Sequence, residues 1–216
     1  MKGDKKIALL KGFTLFAITM VFSLLTYFVD RQPVGYEGTS VGFATLNSGF
    51  SKVFGYNQIM DIISDLAMYT AFLVVVYFAV MGLAQLLRGK SITKVNKAIV
   101  GLGILYFIVA VIYVAFKKIP INYRPILQPG ETEIETSFPS THTLVITTVF
   151  GSAILAFRAL LTDKKAIRSL TILLVIFMVV GVVARLFAGV HWVTDIIAGL
   201  LFSATLISFY AACSMD

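Results

Sequence analysis

SLTILLVIFMVVGVVARLFAGVHWVTDIIAGLLFSATLISFYAA, residues 169–212, places two long apolar runs on either side of a short polar centre. A helix crossing a bilayer needs ~20 apolar residues. Residues 169–187 and 192–212 therefore read as two membrane spans. The charged side chains within this stretch are Arg185 and Asp195, with His191 between them. Charge in so apolar a setting is costly and usually has a task.

Working outward, the same pattern recurs at roughly 10–29, 62–87, 98–116 and 141–161. The chain is 58% hydrophobic and 13% charged, with a mean hydropathy of +0.91. A soluble domain is nearer 45–50% apolar and about 25% charged. The reading is an all-α integral membrane bundle of six transmembrane helices, organised as a single membrane domain over 1–216. The first run follows Lys2, Lys5 and Lys6 as a secretory signal would. It is longer than a typical signal core, and no small-residue cleavage site follows Tyr27-Phe28-Val29, so it reads as a retained anchor. Between the first two spans, Phe43, Leu46, Phe50 and Val53/Phe54 recur at helical spacing. Segment 41–60 is thus expected to be a helix lying in the membrane interface, with a lid over the other helices as the alternative. The single cysteine, Cys213, excludes an internal disulfide and a thiolate metal cluster.

The net charge of +7 follows topology. With the N-terminus inside, Lys2, Lys5, Lys6, Lys11, Arg88, Lys90, Lys94, Lys97, Arg158, Lys164, Lys165 and Arg168 all fall on the cytoplasmic side. Arg31, Lys52, Lys117, Lys118, Arg124 and Arg185 fall outside or at the outer interface. Lysine and arginine favour the inner face, so both termini are expected in the cytoplasm. Membrane lipids are the expected surroundings, and a nucleic-acid partner is not expected. The acidic run Glu131-Thr132-Glu133-Ile134-Glu135 is expected to be a solvated outer loop.

Both histidines of the chain then fall on the outer side, within three polar groups. Lys117 and Arg124-Pro125 follow the third span. Pro139-Ser140-Thr141-His142 opens the fourth. Arg185 ends the fifth, and His191 and Asp195 open the sixth. Arginine binds phosphate oxygens bidentately. Pro139-Ser140 ahead of an apolar helix turns free N–H groups and the positive end of the helix dipole toward an anion. His191 and Asp195 are four residues apart, which suits one helix face or a pair across a loop-to-helix turn. With Asp195 on one ring nitrogen, the other is free to attack, and His142 can protonate a leaving oxygen.

Each piece has a plainer reading alone. Lys118 suits a side chain reaching to lipid headgroups, as does Lys117. Pro-Ser can be a simple helix start, His–Asp a structural pair, and Arg185 a headgroup contact. Their joint occurrence on one side, using both histidines, favours a phosphate site.

The pattern Lys117-x6-Arg124-Pro125, Pro139-Ser140-x-His142 and Arg185-x5-His191-x3-Asp195 resembles the three-part signature of the type 2 phosphatidic acid phosphatase (PAP2) superfamily. That group also includes vanadium-dependent haloperoxidases and bacterial nonspecific acid phosphatases. Six spans match its lipid-phosphatase branch. The resemblance implies that His191 is the nucleophile and forms a phosphohistidine, that Asp195 orients it, and that His142 is the general acid. It implies phosphate binding by Lys117, Arg124, Ser140, the Thr141 N–H and Arg185, with no metal or other cofactor. Two positions depart from the pattern. Thr141 stands where the family usually has Gly, and Ala184 where it has Ser.

The function these residues imply is a phosphatase acting on a lipid phosphate or diphosphate at the outer leaflet of a bacterial plasma membrane. Undecaprenyl diphosphate, phosphatidylglycerol phosphate and phosphatidic acid are the candidate substrates. A haloperoxidase would keep the same pocket with vanadate, but those resemblances are to soluble chains. The rival from another class is a non-catalytic lipid-headgroup binder or transporter on the same fold, which Thr141 and Ala184 keep open.

Overall fold

The computed structural model describes residues 2–214, with the side chains of residues 2 and 3 excepted. The outermost residues of the expected domain 1–216, and the Lys2 side chain in the charge bias, lie outside the described residues. Seven α-helices follow one another among the described residues: α1 (Lys2–Phe28), α2 (Ala44–Phe54), α3 (Gln58–Gly89), α4 (Lys97–Lys118), α5 (Thr141–Leu160), α6 (Lys164–Phe187) and α7 (Val193–Ser214). All but α2 are long and apolar enough to cross a membrane. The expected spans each lie within or close to one of these helices. Helix α1 begins eight residues earlier than the expected span and α3 four earlier, because hydropathy reports the apolar stretch and not the polar turns that extend it.

The helix starts are set by side chains that satisfy otherwise free N–H groups. Asn57 caps α3 by accepting from the Met60 N–H, Asn96 caps α4 through Ala98, Ser140 caps α5 through Thr143, and Asp163 caps α6 through Lys165.

Helices α5 and α7 form the centre, each with 56% of its most apolar window buried, against 17–22% for the other four long helices. Helix α1 packs along α7, and α5 packs against α6 and α7. Small residues and hydroxyls mediate these contacts, as expected where helices gain little from hydrophobic burial against lipid. Thr19 of α1 meets Thr205 of α7 at 3.1 Å, and the Ser203 hydroxyl of α7 donates to Leu144 O of α5. Gly199 lets α7 approach the start of α5, since a Cβ there would lie 2.9 Å from Thr143 Cβ.

Helix α2 occupies the expected place between the first two spans. The apolar residues Leu46 and Val53 are exposed, while the polar Asn47 is fully buried. Asn47 donates to Thr194 Oγ1 at 2.9 Å and to Gly42 O, and its carbonyl accepts the Thr194 N–H. The helix begins at Ala44 and ends at Phe54, so segment 41–60 is only partly this helix. Leu46 and Val53 face outward, where a membrane boundary suits them, while Phe54 packs against Phe187 of α6 and the Asn47 amide is built into the bundle.

The turn between α6 and α7 is locked on the α2–α3 junction. Gly189 has φ +72°, and a Cβ there would lie 1.7 Å from Gly55 O. The adjacent Ala188 O accepts the Asn57 N–H. Gly189→Ala should therefore lower the thermal unfolding midpoint sharply, by an amount equivalent to about 3 kcal/mol. Gly103→Ala in α4, where a Cβ meets open space, should leave it nearly unchanged. Thermal scans of both variants in one detergent check this contrast.

Candidate active site

The C-terminal ends of α4 and α6 and the N-terminal ends of α3, α5 and α7 meet at one end of the bundle. His191 sits two residues ahead of α7, in the turn after α6. Its Nε2 faces two guanidiniums, with Arg124 Nη1 and Arg185 Nη2 each 3.3 Å away. Both are donors only, so Nε2 is the acceptor and its lone pair lies among the cations. The proton then belongs on Nδ1, which faces Asp195 Oδ2 at 3.5 Å. That distance is longer than a hydrogen bond, so the carboxylate faces the ring without bonding to it.

Asp195 is held on three sides. Its Oδ2 accepts the Trp192 N–H at 3.0 Å, its Oδ1 accepts Asn122 Nδ2 at 3.3 Å, and its main-chain O accepts the Ser140 N–H. Asn122 also accepts the Gly42 N–H. These bonds explain why His191 and Asp195 meet across a turn and not along one helix face.

Ser140 is fully buried, and its Oγ accepts from the Thr143 N–H and the Thr143 hydroxyl. It is thus the cap of α5, with its own O–H left to donate. Thr141 is half-buried at the first turn. Ala184 is buried beside Arg185 and offers no hydroxyl. Lys117 lies at the rim, half-exposed, 3.7 Å from Glu135 and over the Tyr113 ring.

Four residues with no assigned role in the sequence pattern enter the site. Glu135 binds Arg124 at 3.1 Å as well as Lys117. It is brought there by a hairpin-like loop, in which Arg124 N–H donates to Glu135 O and Ser137 N–H to Asn122 O. The acidic run is therefore only partly a solvated loop: Glu131 and Glu133 are exposed, but Glu135 turns inward. Asn122 is the second. From α3, Asp61 pairs with Arg185, and Asp65 Oδ1 lies 2.8 Å from His142 Nε2. Their spacing of four in an apolar helix is the one sequence signal that could have found them.

Arg185 is 1% exposed. The Nε groups of Arg124 and Arg185 are buried without a hydrogen-bond partner. Such donors are costly unless satisfied, and here they belong to the two guanidiniums whose Nη atoms meet a histidine lone pair. The arrangement suits an anion. Beside it opens a cavity of about 500 Å³, lined by Met68, Phe72, Tyr106, Val109, Phe116 and Val145, with Lys117, Arg124, Glu135 and His142 at its polar end.

Burial first, then the charges of Arg124 and Arg185, hold His191 well below the usual histidine range. The folded protein keeps this ring neutral, whereas the unfolded chain takes up a proton below about pH 6.5. The stability that this neutral ring preserves is present above that pH and is lost as pH falls. The fall in unfolding midpoint between pH 7 and pH 5 should be smaller for His191→Gln than for the wild type, as thermal scans at the two pH values would show.

The sequence pattern of the PAP2 superfamily matches residues 95–216, which include every site residue from Lys117 to Asp195. The backbone is similar to the crystal structure of a transmembrane PAP2-type phosphatidylglycerolphosphate phosphatase from Bacillus subtilis. The TM-score is 0.62 at 18% identity, with 94% of each chain covered. At that identity the likeness is one of fold. A search of the curated proteins finds no match. The match over more than half of the sequence leads to one assignment: the chain belongs to the PAP2 superfamily.

Proposed function

We propose that this chain is one membrane domain that removes phosphate from a lipid phosphate or diphosphate through a phosphohistidine. The observation that carries the reading is the convergence of Arg124 and Arg185 on the acceptor nitrogen of His191, with unpartnered donors of both arginines beside it. A phosphoryl group placed there meets a nucleophile and fixed cations together.

In the proposed reaction, His191 Nε2 attacks phosphorus while Asp195 holds the Nδ1–H side of the ring. The bond from phosphorus to the leaving oxygen breaks, and His142 supplies the proton that oxygen needs. Water then attacks the phosphohistidine, His142 takes the water proton, and inorganic phosphate leaves. Lys117, Arg124, Arg185, the Ser140 hydroxyl and the Thr141 N–H hold the remaining oxygens. This sequence of steps requires no metal.

The apolar cavity supports a lipid substrate. It begins at His142, the proposed proton donor, and runs between α3, α4 and α5. A tail attached to the leaving oxygen would lie in it while the phosphate remains at the polar end. The proposed setting is the outer leaflet of a bacterial plasma membrane with both termini cytoplasmic, an orientation that the Lys/Arg bias supports. Phosphatidylglycerol phosphate, on which the structural neighbour acts, undecaprenyl diphosphate and phosphatidic acid are the proposed substrates.

Purified protein in detergent should release phosphate from one or more of these lipids with chelator present. His191→Ala should reduce turnover on the order of 10³-fold or more, and vanadate should inhibit. Wild-type turnover no greater than that of His191→Ala on every lipid would remove the enzyme reading. Vanadate binding without turnover would point to the headgroup binder.

A further inference from the structure

Helix α3 crosses the bundle with Asp61, Asp65 and Arg88 as its charged residues. Asp61 is engaged by the buried Arg185. Asp65, one turn further along, stands against His142 with 2.8 Å between Oδ1 and Nε2. The histidine side chain is 14% exposed and the carboxylate 42%, so the pair connects the interior of the site to its mouth. Met68 and Phe72, three and seven residues beyond Asp65 and hence on the same helix face, line the apolar cavity. The carboxylate therefore stands on the side where the lipid tail and its leaving oxygen would lie.

Resting on the phosphatase reading above, we propose that Asp65 is the positioning residue for the general acid, forming a second carboxylate–histidine pair opposite Asp195 and His191. Arg124 and His142 share the polar end of the cavity, and a cation there repels an imidazolium. Asp65, 2.8 Å from the ring nitrogen, counters that repulsion and keeps a proton available for transfer. Because it takes Nε2, the transfer runs through Nδ1. The Nδ1–H proton goes to the leaving alkoxide as the P–O bond breaks, leaving a neutral ring whose Nε2–H remains bonded to Asp65. Water attack on the phosphohistidine returns a proton to Nδ1. In the first step, which forms the phosphohistidine, the two pairs divide the work, with Asp195 serving attack and Asp65 serving departure. Help to departure in that step matters in proportion to how poor the leaving group is.

The test uses the full chain in detergent with two probes of different leaving group: dodecyl phosphate, which releases an alkoxide, and p-nitrophenyl phosphate, which releases a stable phenolate. Asp65→Asn should lower kcat/KM on dodecyl phosphate about 10–10²-fold, through kcat and with KM nearly unchanged. On p-nitrophenyl phosphate the loss in kcat/KM, which reports formation of the phosphohistidine and not its hydrolysis, should stay within about 3-fold. Asp65→Glu should recover much of the lost rate on dodecyl phosphate, a check that does not depend on how well the Asn variant folds. Equal losses on both probes, or no loss on either, would overturn the role of Asp65 while leaving the phosphatase reading intact. No wild-type turnover on either probe or on the lipid panel would overturn both.

Discussion

The site depends on a single buried carboxylate. Asp195 is fully enclosed, and an isolated carboxylate in such surroundings is costly by several kcal/mol. It is tolerated because two segments satisfy it: the Trp192 N–H from the turn before α7 and Asn122 from the loop after α4, with the His191 ring facing it at 3.5 Å. Its main-chain oxygen adds the Ser140 N–H at the start of α5. The requirement to satisfy one group thus fixes the relative positions of α5, α7 and the connecting loop. His191 is oriented by the same bonds.

The cations are handled by the same logic. Arg185 and Arg124 are brought to one nitrogen of one histidine, an arrangement that like charges oppose. Asp61 and Glu135 offset them. Each guanidinium nevertheless keeps an unpartnered Nε, so the counter-charges balance the cluster without using all its donors. Helix α2 contributes to this framework through Asn47 and Thr194, which ties it to the first turn of α7. A segment whose spacing suggests a surface anchor is also part of the support for the site.

Much of the fold was legible because a bilayer constrains sequence strongly: a spanning helix must be long and apolar. The six spans follow from that requirement, while the polar turns that extend α1 and α3 leave no hydropathy signal. Many of the site residues were legible for a related reason. Arg185, His142, His191 and Asp195 stand out where charge is rare. Asp61 and Asp65 were absorbed into the apolar average of α3. Glu135 resembled its exposed neighbours Glu131 and Glu133, because only the hairpin-like pairing of Arg124 with Glu135 turns it inward.

The sequence by itself determined the helical membrane architecture and the identity of the charged groups gathered near one end of the bundle. Both follow from the cost of placing polar groups in lipid, which acts residue by residue along the chain. The tertiary structure decided the partners. Asn47 meets Thr194 across 147 positions, Asn122 meets Asp195 across 73, and Asp65 meets His142 across 77. Such hydrogen bonds are set by the angles and offsets at which helices pack, and those depend on small contacts such as Gly199 against Thr143 and Gly189 against Gly55. Local periodicity carries no record of these distances.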